Sequence, residues 1–254
     1  MVAIVLGSII FAPLVVPYPP NVMDPSQSLS GPSRSHLFGT DLLGRDLLSR
    51  VATGSRSSVS AALLAVMTGA IPGTALGIAG GMGKKRSPLL SRIMDAWMAV
   101  PGVLLAVVLG AAFGRSSIML ALALGIAGIP SYFRQARAET LKQRPSEYIM
   151  AARSVGASKA RIWFRHLLPN ILPMTAVLVT LRVGGMLLAI SALSFLGLGT
   201  QPPNPEWGSM LSEARDFMDQ AWWLAVFPGA AIAWTAFGFN LLGDSLRDRL
   251  DRMA

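Results

Sequence analysis

Few residues in this chain could do chemistry, and their types narrow what that chemistry can be. Cysteine is absent and there are only two histidines, His36 and His166, far apart in sequence. Disulfides, thiolate metal sites and cysteine nucleophiles are therefore excluded, and a histidine-based metal centre is a poor reading. Gly83-Lys84-Lys85 lacks both the earlier glycine and the hydroxyl residue of a phosphate-cradling G-x-x-x-x-G-K-[ST] loop. No nucleophile, base and orienting group can be assembled, so no enzymatic reading is supported. The thirteen methionines are scattered without ligand spacing and read as apolar filling. What remains is electrostatic: the cluster Asp41, Arg45 and Asp46, the isolated Arg182, and a basic stretch from Arg134 to Arg165.

The elements that must position these residues are set by solvent. Apolar residues make up 52% of the chain and charged residues only 14%, against about 25% charged in a soluble domain. Mean hydropathy is +0.52. The polar surface is too small to cover a water-soluble globule, so lipid is the solvent for much of the chain. A net charge of +9 also raises a nucleic-acid binder. That class fails because the basic residues fall between long apolar runs rather than on one face.

A bilayer core of about 30 Å needs roughly 20 mostly apolar residues per helix. About six stretches qualify: Met1 to about Val16, Val59 to Gly83, Ile93 to Phe113, Ser117 to Phe133, Leu172 to Gly199, and Ala221 to Gly243. The expected fold is an all-α integral membrane protein. Residues 1–20 form a first helix, 21–58 an extracytoplasmic segment, and 59–254 a five-helix core with a loop at 134–171. The first run lacks a preceding Lys or Arg and a small-x-small cleavage site, so it reads as an anchor, only marginally long enough to span, rather than a signal peptide. Most of the 22 basic residues lie between spans two and three, between spans four and five, and in the tail. The positive-inside rule makes those segments, and both termini, cytoplasmic. Pro72, Pro101, Pro130, Pro173 and Pro228 punctuate the spans, as a bundle can tolerate. Gly73, Gly77, Gly80, Gly81, Gly184 and Gly185 allow close helix contact.

The stretch PSEYIMAARSVGASKARIWFRHLLPNILP is too long for a turn and too polar for lipid. It reads as two short helices around Gly156, whose lack of a side chain permits a positive φ. Ser146 and Ser158 stand where helix caps belong, and Pro169 is expected to close the second helix before span five. Exposed apolar residues on such a pair imply a docking partner.

This loop resembles that of importer permeases of the ATP-binding-cassette class: E-A-A, three residues, G, nine residues, I, one residue, L-P. Ala151, Ala152, Gly156, Leu168 and Pro169 fall at those spacings, while Met150 and His166 replace the Glu and Ile. HLFGTDLLGRDLLSRVATGSRSSV from His36, SALSFLGLGTQPPNPEWGSML from Ser191 and FNLLGDSLRDRLD from Phe239 resemble the dipeptide, oligopeptide and nickel branch. The ending is similar to its second, C-type permease.

That resemblance implies a cell-membrane subunit forming half of a path for di- or oligopeptides, with nickel or a metal chelate as the alternative cargo. It implies a paralogous permease, two ATPase subunits and an extracytoplasmic binding protein as partners. ATP and Mg would be used by the ATPase subunits, and this chain would bind no cofactor. Ala151, Ala152, Gly156, Ala157, His166, Leu168 and Pro169 would form the coupling element that enters the ATPase groove. From another class, a secondary transporter driven by an ion gradient would need carboxylates inside its spans. The middles of spans two, four, five and six contain none.

Three single positions complete the reading. Arg182 lies about ten residues into span five, too deep for comfortable snorkelling, so a polar cavity meeting a carboxylate of substrate or partner is favoured. Asp95 is expected to pair with Arg92 or Lys85. Asp41, Arg45 and Asp46 are expected to form an ion-pair network fixing a short amphipathic helix, with direct contact to the binding protein as the other reading.

Overall fold

The computed structural model describes Gly7 and residues 16–83 and 87–252. The first expected span, apart from Gly7 and Val16, lies outside these, as do Lys84, Lys85 and Arg86. Among the described residues the long elements are all helical: α1 (Leu47–Met82), α2 (Ser87–Met98), α3 (Gly102–Phe113), α4 (Ser117–Gln143), α5 (Glu147–Ser154), α6 (Lys159–Ile162), α7 (Leu168–Phe195), α8 (Trp207–Ala214) and α9 (Trp223–Asp251). Helix α6 joins α7 through a π turn at Trp163–Leu167, giving one run of 37 residues from Lys159 to Phe195. Four helices are long and apolar enough to cross a membrane, and the pair α2 and α3 makes a fifth, bent by 74°. The expected third span, Ile93 to Phe113, is thus two helices rather than one. The bend falls at Pro101, which has no N–H to donate into the turn before it.

Span boundaries also move. Helix α1 begins twelve residues before the expected Val59, because Asp46 caps it: its carboxylate accepts from the Ser49 N–H at 2.8 Å and the Ser49 hydroxyl at 2.7 Å. The expected amphipathic helix over Asp41–Asp46 is absent. Gly44 holds a φ of +69° there, a conformation that ends helical propagation. The ion-pair cluster itself is present and larger than expected. Asp41 accepts from Arg45 at 2.6 Å and stands 3.3 Å from Arg50, and both arginines reach Glu213 at 3.2 and 3.5 Å. Asp46, expected in the network, instead caps α1 and pairs with His36 at 2.9 Å. Segment 21–46 is thus tied to α1 and α8 at one end of the bundle.

The centre of the bundle is a glycine seam. Gly69, Gly73, Gly77 and Gly81 recur every fourth residue on α1, so all four face one neighbour. A Cβ at Gly73 would stand 2.6 Å from the Ile129 carbonyl oxygen, one at Gly77 2.6 Å from that of Phe133, and one at Gly81 2.5 Å from Thr140 Cβ. Gly125 answers from α4, where a Cβ would meet the Ala65 carbonyl oxygen at 2.5 Å. The register advances in the same direction on both chains, so α1 and α4 are parallel and in backbone contact. Between helices in lipid, attraction comes from such packing rather than from the hydrophobic effect.

Helices α7 and α9 pack antiparallel, with Gly184 against Ala236 and Gly243 against Leu181. Two tryptophans near helix ends are buried hydrogen-bond donors. Trp223 donates to the Thr40 carbonyl at 3.1 Å and Trp207 to the Val51 carbonyl at 2.8 Å. Glu206 is 0% exposed and caps α8, accepting from the Gly208 and Ser209 N–H groups at 2.9 and 3.0 Å. Trp207→Phe should cost about 1 kcal/mol for the lost hydrogen bond. The expected readout is a melting midpoint lowered by about 2–4 °C in detergent. An unchanged midpoint would remove the indole from the joint between α1 and α8.

Candidate functional site

The loop around Gly156 is a built joint, at the end of the bundle opposite Asp46. Helix α5 ends in a Schellman arrangement: Gly156 has a φ of +77°, and the Ala157 N–H donates to the Ala152 carbonyl at 3.0 Å. The four-residue spacing of Ala152 and Gly156 is what that 6→1 bond requires. Ser158 then caps α6, accepting from the Arg161 N–H at 3.2 Å. Ser146, expected as a cap of α5, does not cap it through its side chain. Its hydroxyl donates back to the Gln143 carbonyl at 2.5 Å, and its own carbonyl accepts the first bonds of α5.

Pro169 does not close the second helix. Lacking an N–H, it leaves the Arg165 carbonyl without its usual i+4 donor. The chain accommodates this by widening to the π turn, in which the Leu168 N–H bonds the Trp163 carbonyl. The helix runs on into α7. Tyr148 and Asn170 lock the two arms together: the Asn170 amide donates to the His166 carbonyl at 2.6 Å and to the Tyr148 hydroxyl at 3.4 Å, and the Tyr148 and His166 rings lie 6.1 Å apart. Neither lock residue was singled out from sequence, although both lie inside the motif-bearing stretch.

The joint has an inner and an outer face. Ile149, Ile162, Leu167 and Ile171 pack on Ile78 of α1 and Ala136 of α4, with Ala157 and Leu168 against their edge. Outward, Val155 is 85% and Phe164 65% exposed, and Tyr148, Met150, Ala151 and Pro169 are exposed as well. A Cβ at Gly156 would meet nothing within 4 Å. The apolar tip is therefore presented on a scaffold that holds it from behind.

Arg182 stands apart from the joint, half-buried in α7, with its guanidinium carbon 5.9 Å from the Tyr132 ring centre. Asp95 pairs with Arg134 at 3.8 Å across exposed surface, rather than with Arg92 as expected; Lys85, the other expected partner, lies outside the described residues. No group of three His, Asp or Glu side chains stands within metal-binding reach among the described residues.

The family profile described as "Binding-protein-dependent transport system inner membrane component" matches residues 73–253. The chain belongs to this family. Its members are the non-catalytic membrane subunits of ATP-binding-cassette importers. Among relatives, the probable D,D-dipeptide transport system permease protein DdpC of Escherichia coli (strain K12) is 40% identical over 255 residues, covering 100% of this chain and 86% of the relative. The dipeptide transport system permease protein DppC of Alkalihalophilus pseudofirmus is 44% identical over 243 residues, covering 95% of this chain and 80% of the relative. A solved structure of the MetNI methionine ABC transporter in an inward-facing form aligns with a TM-score of 0.64 at 16% identity. That alignment covers 78% of this permease and 95% of the solved chain. The permease therefore has the type I importer fold.

Proposed function

We propose that this permease carries di- or oligopeptides as the second of two paralogous permease subunits, assembled with two ATPase subunits and an extracytoplasmic binding protein. Support for the cargo class comes from relatives at 40% and 44% identity named for dipeptides. The observation that carries the mechanism is the joint at Gly156, a braced turn with an exposed apolar tip. Docked in a groove of the ATPase, that tip follows the groove when ATP closes the two ATPase domains. ATP and Mg are bound there and not by this chain. Because the inner face of the joint packs on α1, α4 and α7, its displacement biases the bundle between two arrangements. The joint and the C-terminal tail face the cytoplasm, as their basic residues direct.

The test is reconstitution of the complete importer in vesicles. Peptide import should require the binding protein, both permeases, the ATPases and ATP, and this chain alone should hydrolyse none. Nickel uptake without peptide uptake would overturn the cargo, and ATP turnover by the purified chain would overturn the division of labour. Orientation is read with a thiol probe, since the native chain has none. Ala160→Cys, exposed on α6, is expected to label from the cytoplasmic side only. Labelling from outside would invert the topology.

A further inference from the structure

The guanidinium of Arg182 is uncompensated. Among the described residues no carboxylate lies within ion-pair distance of it, and Tyr132 supplies only a ring face. Helices α1 and α7 contain no Asp or Glu. The nearest acidic position by helix register is Asp244, next to the Gly243 that abuts Leu181. It is exposed and forms no ion pair with Arg182. Tyr132 is itself unusual, 2% exposed with a hydroxyl that has no hydrogen-bond partner. Both residues lie roughly 20 Å from the Asp46 end of their helices, at 13 and 15 residues of 1.5 Å each. A charge at such depth costs roughly 2.5–3.5 kcal/mol by insertion scales, so it faces protein or a wet cavity rather than lipid.

The helix surface beside Arg182 is open in this subunit. One turn further along α7, Gly185 is exposed, and a Cβ there would meet nothing within 4 Å; Leu188 and Ala192 continue the same open stripe. Tyr132 closes the other side of the guanidinium, toward Val66 and Ala70 of the core. Arg182 is thus backed by an aromatic ring and borders an exposed stripe of α7. A guanidinium held this way presents its fork to a carboxylate, the group it binds most strongly and bidentately.

We propose that Arg182, backed by Tyr132, determines specificity in this chain's half of the path by taking the carboxylate of the cargo and repelling bare divalent cations. The inference rests on the importer reading above and narrows it to carboxylate-bearing molecules. Its test is the reconstituted importer supplied with a dipeptide and with the same dipeptide as its C-terminal amide, each saturating for the binding protein. Selectivity of the binding protein is common to every variant, so the change in the acid-to-amide import ratio isolates the permease. Arg182→Gln should lower that ratio at least about thirtyfold, as loss of a desolvated charge pair does, and Arg182→Lys should restore part of it. Asp244→Asn should leave the ratio unchanged. An unchanged ratio in Arg182→Gln overturns the proposal, as does an equal fall in Asp244→Asn. Should Arg182→Gln fail to assemble, Arg182→Lys carries the test: losing the bidentate fork should lower the ratio several-fold, and wild-type selectivity overturns it. A wild-type complex that imports no peptide overturns both this inference and the importer reading.

Discussion

Gly77→Val is expected to remove most of the folded chain from the membrane fraction. The first added carbon would stand 2.6 Å from the Phe133 carbonyl oxygen and 2.7 Å from Ala136 Cβ. A backbone carbonyl cannot rotate aside, so α1 and α4 must part. Overpacking a core costs about 1–3 kcal/mol, occasionally more, where side chains can adjust. Here the separation also loosens contacts at Gly73 and Gly81, one turn to either side. Detergent melting and membrane yield are the measurements, with Gly229→Val as the comparison. Gly229 is also helical, but a Cβ there meets nothing within 4 Å. Equal melting of the two variants would show that the seam is not what holds the pair.

Gly156→Asp is expected to leave folding intact and abolish import. The φ of +77° costs a non-glycine residue about 1–3 kcal/mol, and Asp is among the residues that tolerate it best. Open space around the position means that nothing inside the chain clashes. Any functional loss must therefore come from what docks outside. A carboxylate on an apolar tip is costly to bury against a partner groove, and coupling free energies are only about 1–3 kcal/mol. Import should fall more than about tenfold, together with co-purification of the ATPase, while the melting midpoint falls by only about 2–4 °C, the low end of that strain. Normal import by this variant would remove the joint from the coupling path.

How much of this was legible in the sequence depends on whether the cause was local. The joint was legible because its determinants are consecutive: a glycine, a cap and an apolar periodicity within about two turns of helix. The glycine seam was half legible. Gly73, Gly77 and Gly81 announce a close contact by their spacing, but the answering Gly125 is reached only across α2 and α3. The start of α1 was missed for a physical reason. Arg50 and Arg56 lower local hydropathy, and what neutralises Arg50 is Asp41 together with Glu213, 163 residues away. Pro101 and Pro169 look alike in sequence yet act differently. The first breaks a helix that has few packing partners, whereas the second is absorbed by a π turn held on Ile78 and Ala136. The pairing of Arg182 with Tyr132 joins two helices about 50 residues apart and left no local trace.

The unbroken run from Lys159 to Phe195 sets the amplitude of any motion that passes through it. Its 37 residues measure about 55 Å at 1.5 Å per residue. A tilt of only about 5° around one end sweeps the other through about 5 Å, nearly the pitch of a helical turn. A rod with a hinge at mid-depth would lose that gain, and α2 with α3 is such a hinged rod. Compliance in this run concentrates where its hydrogen-bond ladder is interrupted, at the π turn at 163–167 and at Pro169 and Pro173, all in the half nearer its loaded end. The half from Met174 to Phe195 has no such interruption and carries the stroke onward as a rod.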